Sequence, residues 1–257
     1  MAENHLLNSR QYKILDRINA DGGAYIRDLD EELGVSEATI RRDLDDLARM
    51  GLIERVHGGA TKVKGTAFER AHSEKMRLMT DEKRRIAAYA ASLVKNGDSI
   101  FLDSGTTTYF IACELTRHKD LTILTNNLEI LSSVQFDPTT SLIATGGVRR
   151  EEYSVLIGSV AENTIRSFCL DKAFMGCDAI SVKRGLYNTN FPEVSVKRCI
   201  TRCGKKTILV TDSSKFYVEA LAKICELSEI DMIITDKGLD EKTLNKVLKQ
   251  VPNTVCV

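Results

Sequence analysis

Six short apolar runs, each ending in small polar residues, constrain this chain more than any other feature. They occupy residues 99–102, 121–124, 142–144, 173–175, 207–210 and 232–234, with helix-like stretches between them. Parallel strands need a crossover connection, usually a helix, so this alternation predicts an α/β domain with a mostly parallel sheet. The runs lead into Asp103-Ser104-Gly105-Thr106-Thr107, Thr125-Asn126-Asn127, Thr145-Gly146-Gly147, Gly176-Cys177-Asp178, Thr211-Asp212-Ser213-Ser214-Lys215 and Thr235-Asp236. Every one of these tips follows a strand, and open parallel sheets bind ligands beyond the carboxyl ends of their strands. The tips are therefore expected to converge on one pocket.

The first 63 residues follow a different pattern. Ser9 is a suitable cap for a helix with Ile14, Leu15 and Ile18 on one stripe, ended by Asp21-Gly22-Gly23. A second short helix around 27–33 stops at Gly34. Ser36 can cap a third, in which Ile40, Leu44, Leu47 and Ala48 recur at three- and four-residue spacing and face inward. Its opposite face carries Ala38, Thr39, Arg41, Arg42, Asp45 and Arg49. Residues 52–63 then read as a hairpin turning at Gly58-Gly59. Two short helices, a tight turn and a wing form the layout of a winged helix-turn-helix centred on 35–47, whose last helix enters the major groove of DNA.

Arginine suits that position, because its guanidinium pairs bidentately with guanine or phosphate. Ser36 and Thr39 sit where they can hydrogen-bond a backbone phosphate, and Arg55, His57, Lys62 and Lys64 lie on or beside the wing. The plainer alternative is that Arg41 and Arg42 only pair with Asp45 and Asp46 on a solvated face. The polar segment 64–79 reads as a linker. The expected organisation is a DNA-binding domain over 1–63, the linker over 64–79 and a sensing domain over 80–257.

Charge gives no help to a nucleic-acid reading. The chain has 36 Lys and Arg against 36 Asp and Glu, and its first 65 residues hold ten basic against twelve acidic side chains. Any cations that meet DNA must be concentrated locally. The seven cysteines are scattered and odd in number, which points to free thiols in a reducing compartment. Cys199 and Cys203 lack a second Cys or His pair at zinc-site spacing, so neither a metal nor any other cofactor is expected. No apolar run approaches the roughly 20 residues that cross a bilayer, and residues 1–10 lack the form of a secretion signal. A cytoplasmic location without membrane contact is expected.

In the α/β half, Ser104, Gly105, Thr106 and Thr107 follow a strand and open a helix, offering hydroxyls and unpaired N–H groups to an anion such as phosphate. Lys215 can add positive charge, and Asp103, Asn127, Asp178 and Glu193 can accept hydrogen bonds from sugar hydroxyls.

The string Val-Ser-Glu-Ala-Thr-Ile-Arg-Arg-Asp-Leu at 35–44, followed by Met-Gly-Leu-Ile-Glu-Arg-Val-His-Gly-Gly-Ala at 50–60, closely resembles the DeoR family of regulators. The resemblance implies that Ser36, Thr39, Arg41 and Arg42 lie on the DNA-facing helix and that Arg55 and His57 belong to the wing. It continues through Asp-Ser-Gly-Thr-Thr at 103–107, the turn ending at Asn127, Gly146-Gly147 with nearby Arg149, and Asp-Ser-Ser-Lys-Phe at 212–216. Ala179 stands where the family often has Gly. Family members resemble the sugar-phosphate isomerase and CoA-transferase fold group. They typically bind a phosphorylated sugar or related metabolite that releases the repressor from double-stranded operator DNA.

The function expected is a repressor of carbohydrate-metabolism genes acting as a homo-oligomer. One alternative is an isomerase-like enzyme with an appended DNA-binding domain, using Asp103 or Glu193 to move a proton and Lys215 to stabilise an enediolate. Another is an adaptor or RNA-binding protein that uses the winged helix for other contacts.

Overall fold

The computed structural model describes residues 7–63, 65–150 and 153–257; Lys64 of the expected wing lies outside them. The N-terminal part runs α1 (Ser9–Asp21), β1 (Gly23–Tyr25), α2 (Ile26–Leu33), α3 (Glu37–Arg49), β2 (Ile53–Val56) and β3 (Gly59–Lys62). The cap of α1 is Asn8 rather than Ser9. Asn8 Oδ1 accepts from the N–H groups of Arg10 and Gln11, and Gln11 Oε1 accepts the Asn8 N–H at 3.0 Å. Only a cap at Asn8 places a glutamine three residues on, where its side chain can reach back. Ser36 caps α3 as expected, accepting the Thr39 N–H at 3.3 Å.

Ile14, Ile18, Leu29, Ile40, Leu44 and Leu47 close one buried core beneath these helices. The wing is a three-stranded sheet, because β1 pairs with β3 beside the β2–β3 hairpin. That third strand is too short to show a period in the sequence. Its close approach requires Gly59, where a Cβ would lie 2.3 Å from the Ala24 carbonyl oxygen.

The chain continues through α4 (His72–Arg77), α5 (Thr80–Ser92), β4 (Ser99–Leu102), α6 (Thr106–Glu114), β5 (Thr122–Thr125), α7 (Leu128–Ser133) and β6 (Ser141–Ala144). Next come β7 (Val148–Arg150), β8 (Val155–Ile157), α8 (Ser159–Arg166), β9 (Lys172–Met175), β10 (Ala179–Ser181), β11 (Gly185–Asn188) and α9 (Phe191–Cys203). The last elements are β12 (Thr207–Val210), β13 (Ala222–Cys225), β14 (Met232–Thr235), α10 (Glu241–Leu248) and β15 (Thr254–Cys256).

All six apolar runs become strands of one seven-stranded sheet, ordered β15-β14-β12-β9-β4-β5-β6, with every pair parallel. Neighbouring residues point to opposite faces. Ile100, Leu102, Phe174, Ile208 and Ile234 pack with Ile86, Ala90 and Ile111 of α5 and α6. Phe101, Ala173, Met175, Leu209 and Ile233 pack with Ile165, Val194, Ile200 and Val247 of α8, α9 and α10 on the other face. Cys199 and Cys203 belong to that second core as buried free thiols. The protein is therefore a mixed α/β fold behind an N-terminal winged helix-turn-helix. Among the described residues no helix is long and apolar enough to cross a membrane.

Strand order decides where a ligand can enter. From β4 the chain adds β5 and β6 on one side, then returns to add β9, β12, β14 and β15 on the other. Connections on either side of such a reversal leave by opposite faces, so a crevice opens above the carboxyl ends of β4 and β9.

Candidate functional site

On and beside α3, most of the arginines are paired among the described residues. The acidic residues of α3 each hold a base: Asp43 is buried against Arg10, Asp45 pairs with Arg55 at 3.0 Å, and Asp46 pairs with Arg49 at 3.2 Å. Arg41 pairs with Glu37 one turn back at 3.0 Å, whereas Arg42 is exposed with no ion pair among the described residues. Neither Arg41 nor Arg42 uses Asp45 or Asp46, the partners considered in the plainer alternative. Arg55 also donates to the Gly59 carbonyl at 2.9 Å, so it clamps α3 to the wing hairpin. His57 is exposed at the wing turn, and the hydroxyls of Ser36 and Thr39 lie 3.0 Å apart at the start of α3.

A cleft with about 680 Å³ of empty space, partly open to solvent, lies at the predicted crevice. It is lined by Ser104, Gly105, Thr106 and Thr107 after β4, by Gly176, Cys177 and Asp178 after β9, and by Thr211, Asp212 and Lys215 after β12. Gly105 occupies the N-cap of α6 without any side-chain cap, so the first N–H groups of that helix remain open to an acceptor. Asp103 lies behind the loop, fully buried. Its carboxylate accepts from Lys197 Nζ at 2.5 Å, from the Ser104 N–H at 2.8 Å and from the Gly176 N–H at 3.1 Å.

The far wall is a lattice of paired charges. Lys75 donates to Glu69 at 2.8 Å and to Asp178 at 3.1 Å, and Arg150 donates to Glu193 at 2.5 Å and also to Glu69. Asp178 further accepts the Thr189 N–H and hydroxyl at 2.9 and 2.6 Å. Burial opposes the Asp178 charge, but Lys75 and the Thr189 bonds outweigh it and hold the carboxyl well below its usual range. Burial raises the Glu193 carboxyl, with Lys197 and Arg150 acting against it. Burial pushes the Cys177 thiol up to about 12, which disfavours its thiolate form.

Two cations in the cleft stand outside this lattice. Lys215 has no carboxylate within salt-bridge distance among the described residues. Lys83 is 3 % exposed and, among the described residues, donates only to the carbonyls of Leu78, at 2.7 Å, and Lys75. Burial lowers its pKa to about 8, with Asp212 acting in the opposite direction.

Five residues expected at the site lie outside the cleft lining. Asp103 supports the loop from behind. Asn127 caps α7, its Oδ1 accepting the N–H groups of Glu129 and Ile130 at 2.8 and 3.3 Å. Gly146 and Gly147 have φ of +69° and +115°, and a Cβ on Gly147 would lie 2.5 Å from the Ile157 carbonyl oxygen, so this pair shapes a turn. Asn127, Gly146 and Gly147 follow β5 and β6, the strands on the far side of the reversal. Arg149 is exposed, and its neighbour Arg150 faces Glu69 and Glu193 instead, as alternation along β7 requires.

Lys83, Lys197, Lys75, Glu69 and Arg150 escaped the reading from sequence, but two carried a signal. Lys83 falls on the stripe of Ile86, Ala87 and Ala90, and Lys197 on that of Val194 and Ile200, so helical period alone places both inside.

Comparison with known proteins agrees in both halves. The model of a DeoR-like helix-turn-helix domain matches residues 10–66, and that of the DeoR C-terminal sensor domain matches 78–237. The chain is 36 % identical over 241 residues to an HTH-type transcriptional regulator of Escherichia coli (strain K12), covering 94 % of each chain. It is 34 % identical over 226 residues to the glycerol-3-phosphate regulon repressor of Haemophilus influenzae, covering 88 % of each. A further relative is the transcriptional repressor AccR of Agrobacterium fabrum, 33 % identical over 230 residues and covering 89 % of each. Among solved structures, ribose 5-phosphate isomerase A from Methanocaldococcus jannaschii is similar in part, at 17 % identity over 54 % of this chain and 55 % of that one, with a TM-score of 0.39. With sequence models matching its winged helix and its α/β domain, and relatives aligned over nearly its whole length, the chain belongs to the DeoR family of transcriptional regulators.

Proposed function

We propose that this protein is a DNA-binding transcriptional repressor of carbohydrate metabolism, released from double-stranded operator DNA when its cleft takes up a phosphorylated sugar or related metabolite. In this reading residues 1–63 read DNA, 80–257 sense the effector and 64–79 join the two. The observation that carries it is the cleft at the strand-order reversal, where the uncapped start of α6 faces the same space as Lys83 and Lys215, neither within salt-bridge distance of a carboxylate among the described residues. An anion completes such a site.

Ser104, Gly105, Thr106, Thr107 and Lys215 hold the phosphate, and Asp178 and Glu193 accept from hydroxyls at the far wall. Arg42, Arg41, Thr39, Ser36 and His57 meet the DNA, with Arg55 positioning the wing. The names of two relatives, a glycerol-3-phosphate regulon repressor and a transcriptional repressor, agree with this assignment. A single small winged helix has too little interface for strong specificity, so the protein acts as a homo-oligomer on paired half-sites.

Catalysis has no part in the reading. Each carboxylate considered for the proton transfer of an isomerase is already engaged, Asp103 with Lys197 and Glu193 with Arg150 and Asn188. The test is a duplex selected by the purified protein from random sequence, followed by titration with phosphorylated sugars. Release of the duplex by one such compound, and not by its unphosphorylated form, is expected. Turnover of the compound, or binding with no preference for phosphate, overturns the proposal.

A further inference from the structure

Gly146, Gly147 and Arg149 lie outside the cleft lining, and all three follow β6, the strand at one end of the parallel sheet. Among the described residues β6 pairs only with β5. Ser141 and Thr145 turn inward, donating their N–H groups to the carbonyls of Leu121 and Thr125 at 2.8 and 3.0 Å. The backbone groups of a strand alternate in direction, so those of Leu142 and Ala144 face outward. An edge of this kind is a template for another strand, and proteins commonly guard it with charge, proline or a bulge. β6 holds no charge and no proline, its register with β5 is regular, and no charged residue stands between 138 and 148. Beside its end lie two exposed apolar side chains, Val148 at 69 % and Val160 at 58 % exposure, and a Cβ on Gly146 would lie 3.4 Å from Val160 Cγ1.

Charge points to the occupant. Arg149 is exposed and Asp137 half-buried, and neither lies within salt-bridge distance of an opposite charge among the described residues. Asp137 accepts the Thr139 N–H and hydroxyl at 3.0 and 2.7 Å, and Lys119 acts on it more weakly than those bonds do. The two charges flank the strand evenly: Asp137 stands six residues before Ile143, and Arg149 six after it. When identical strands pair antiparallel about Ile143, Leu142 exchanges both hydrogen bonds with Ala144 of the partner subunit, and the outward groups of both strands are satisfied. The same register brings Arg149 level with Asp137 of the partner subunit. Both flanks leave the strand through turns, so these side chains meet at the ends of the pairing and not within its ladder. A foreign strand would have to supply both charges in this order, whereas a second copy supplies them by symmetry.

We propose that β6 is the seam of a homodimer, pairing antiparallel with β6 of a second copy about a two-fold axis at Ile143, with Arg149 and Asp137 closing its ends. This deepens the reading of the protein as a homo-oligomer and rests on it. The orphaned Gly146-Gly147 and Arg149 then serve the contact between copies: the glycines keep the turn beside the seam free of side chains, and the arginine fixes the register.

The test is sedimentation velocity of the full chain over a range of concentrations. The parent is expected to associate. Ala144→Pro removes an outward N–H and leaves the bonds to β5 in place, and is expected to raise the dissociation constant by about tenfold or more. Arg149→Glu and Asp137→Lys are each expected to raise it by about tenfold at low salt, and the double variant to restore association, because the reversed charges again meet their opposites. A parent that stays monomeric overturns both the homo-oligomer and the seam. Association that the single variants leave unaltered, or a double variant weaker than either single, overturns the seam and leaves the homo-oligomer standing. The parent alone decides if the variants fold poorly: amide exchange at Leu142 and Ala144 is expected to slow as protein concentration rises, and exchange there that ignores concentration in an associating protein overturns the seam.

Discussion

Replacing Asp103 by Asn tests whether the loop at the start of α6 is held from behind by a buried ion pair. The carboxylate is fully buried and accepts on both oxygens, from the Ser104 N–H on one and from the Gly176 N–H and Lys197 Nζ on the other. An amide accepts on one side only, so either orientation aims an NH2 group at an existing donor. It also leaves the Lys197 ammonium, 6 % exposed, without its nearest counter-charge. Removing one partner of such a pair costs about 3 to 5 kcal/mol.

Glu193 also favours the Lys197 charge, which puts the cost near the lower figure. In a chain of this size each kcal/mol moves the melting temperature by about 2 to 4 °C, so Asp103→Asn should lower it by roughly 6 to 12 °C. Scanning calorimetry reads this directly. Lys197→Met alone also destabilises, and the double variant should recover part of the loss, because it removes both charges together. A melting temperature unchanged in Asp103→Asn, or a double variant worse than the sum of the singles, refutes the reasoning.

Other consequences follow from named side chains. Arg42, exposed on α3 with no ion pair among the described residues, should lower DNA affinity when changed to Ala and make the salt dependence shallower, by about 0.9 in slope for each phosphate it neutralises; an unchanged slope removes it from the interface. Gly59→Ala drives a Cβ into the Ala24 carbonyl and should destabilise the winged helix by about 1 to 3 kcal/mol, seen as faster amide exchange in β1; wild-type exchange there counts against the close strand approach. Tyr12→Phe deletes the hydroxyl hydrogen bond to Tyr217 and should cost about 1 kcal/mol while making the domain junction easier to cleave by protease; equal cleavage rates dismiss its role.

Phosphate affinity should fall as pH rises through about 8. Lys83 faces Lys75 from α4 and Asp212 and Lys215 from the loop after β12, with Glu82 on its own helix, and burial leads in depressing its pKa to about 8. A bound anion favours its protonated form, so binding takes up a proton above that pH and weakens there. Affinity independent of pH from about 7 to about 9.5 would show that Lys83 does not meet the ligand.

The local parts of this protein were legible in its residues. The apolar runs marked six of the seven strands of the parallel sheet, because a buried strand must be apolar wherever it sits. Ser36, the Gly58-Gly59 turn and the stripe through Ile40, Leu44 and Leu47 defined the winged helix within one stretch of chain. The open start of α6 was visible as Ser104 to Thr107 after a strand. What needed the tertiary structure was the choice among equivalent tips. Asn127 and Gly147 have the same small, polar character and the same place after a strand as the residues in the cleft. They lie outside the cleft lining, after strands on the far side of the reversal, an order that no local pattern encodes. Arg150 rather than Arg149, and Lys75 and Lys83 from a segment expected to be a plain linker and the helix after it, were likewise settled by partners distant in sequence. The charge of a side chain is written in its residue, but whether another chain segment neutralises that charge is decided only when the segments meet.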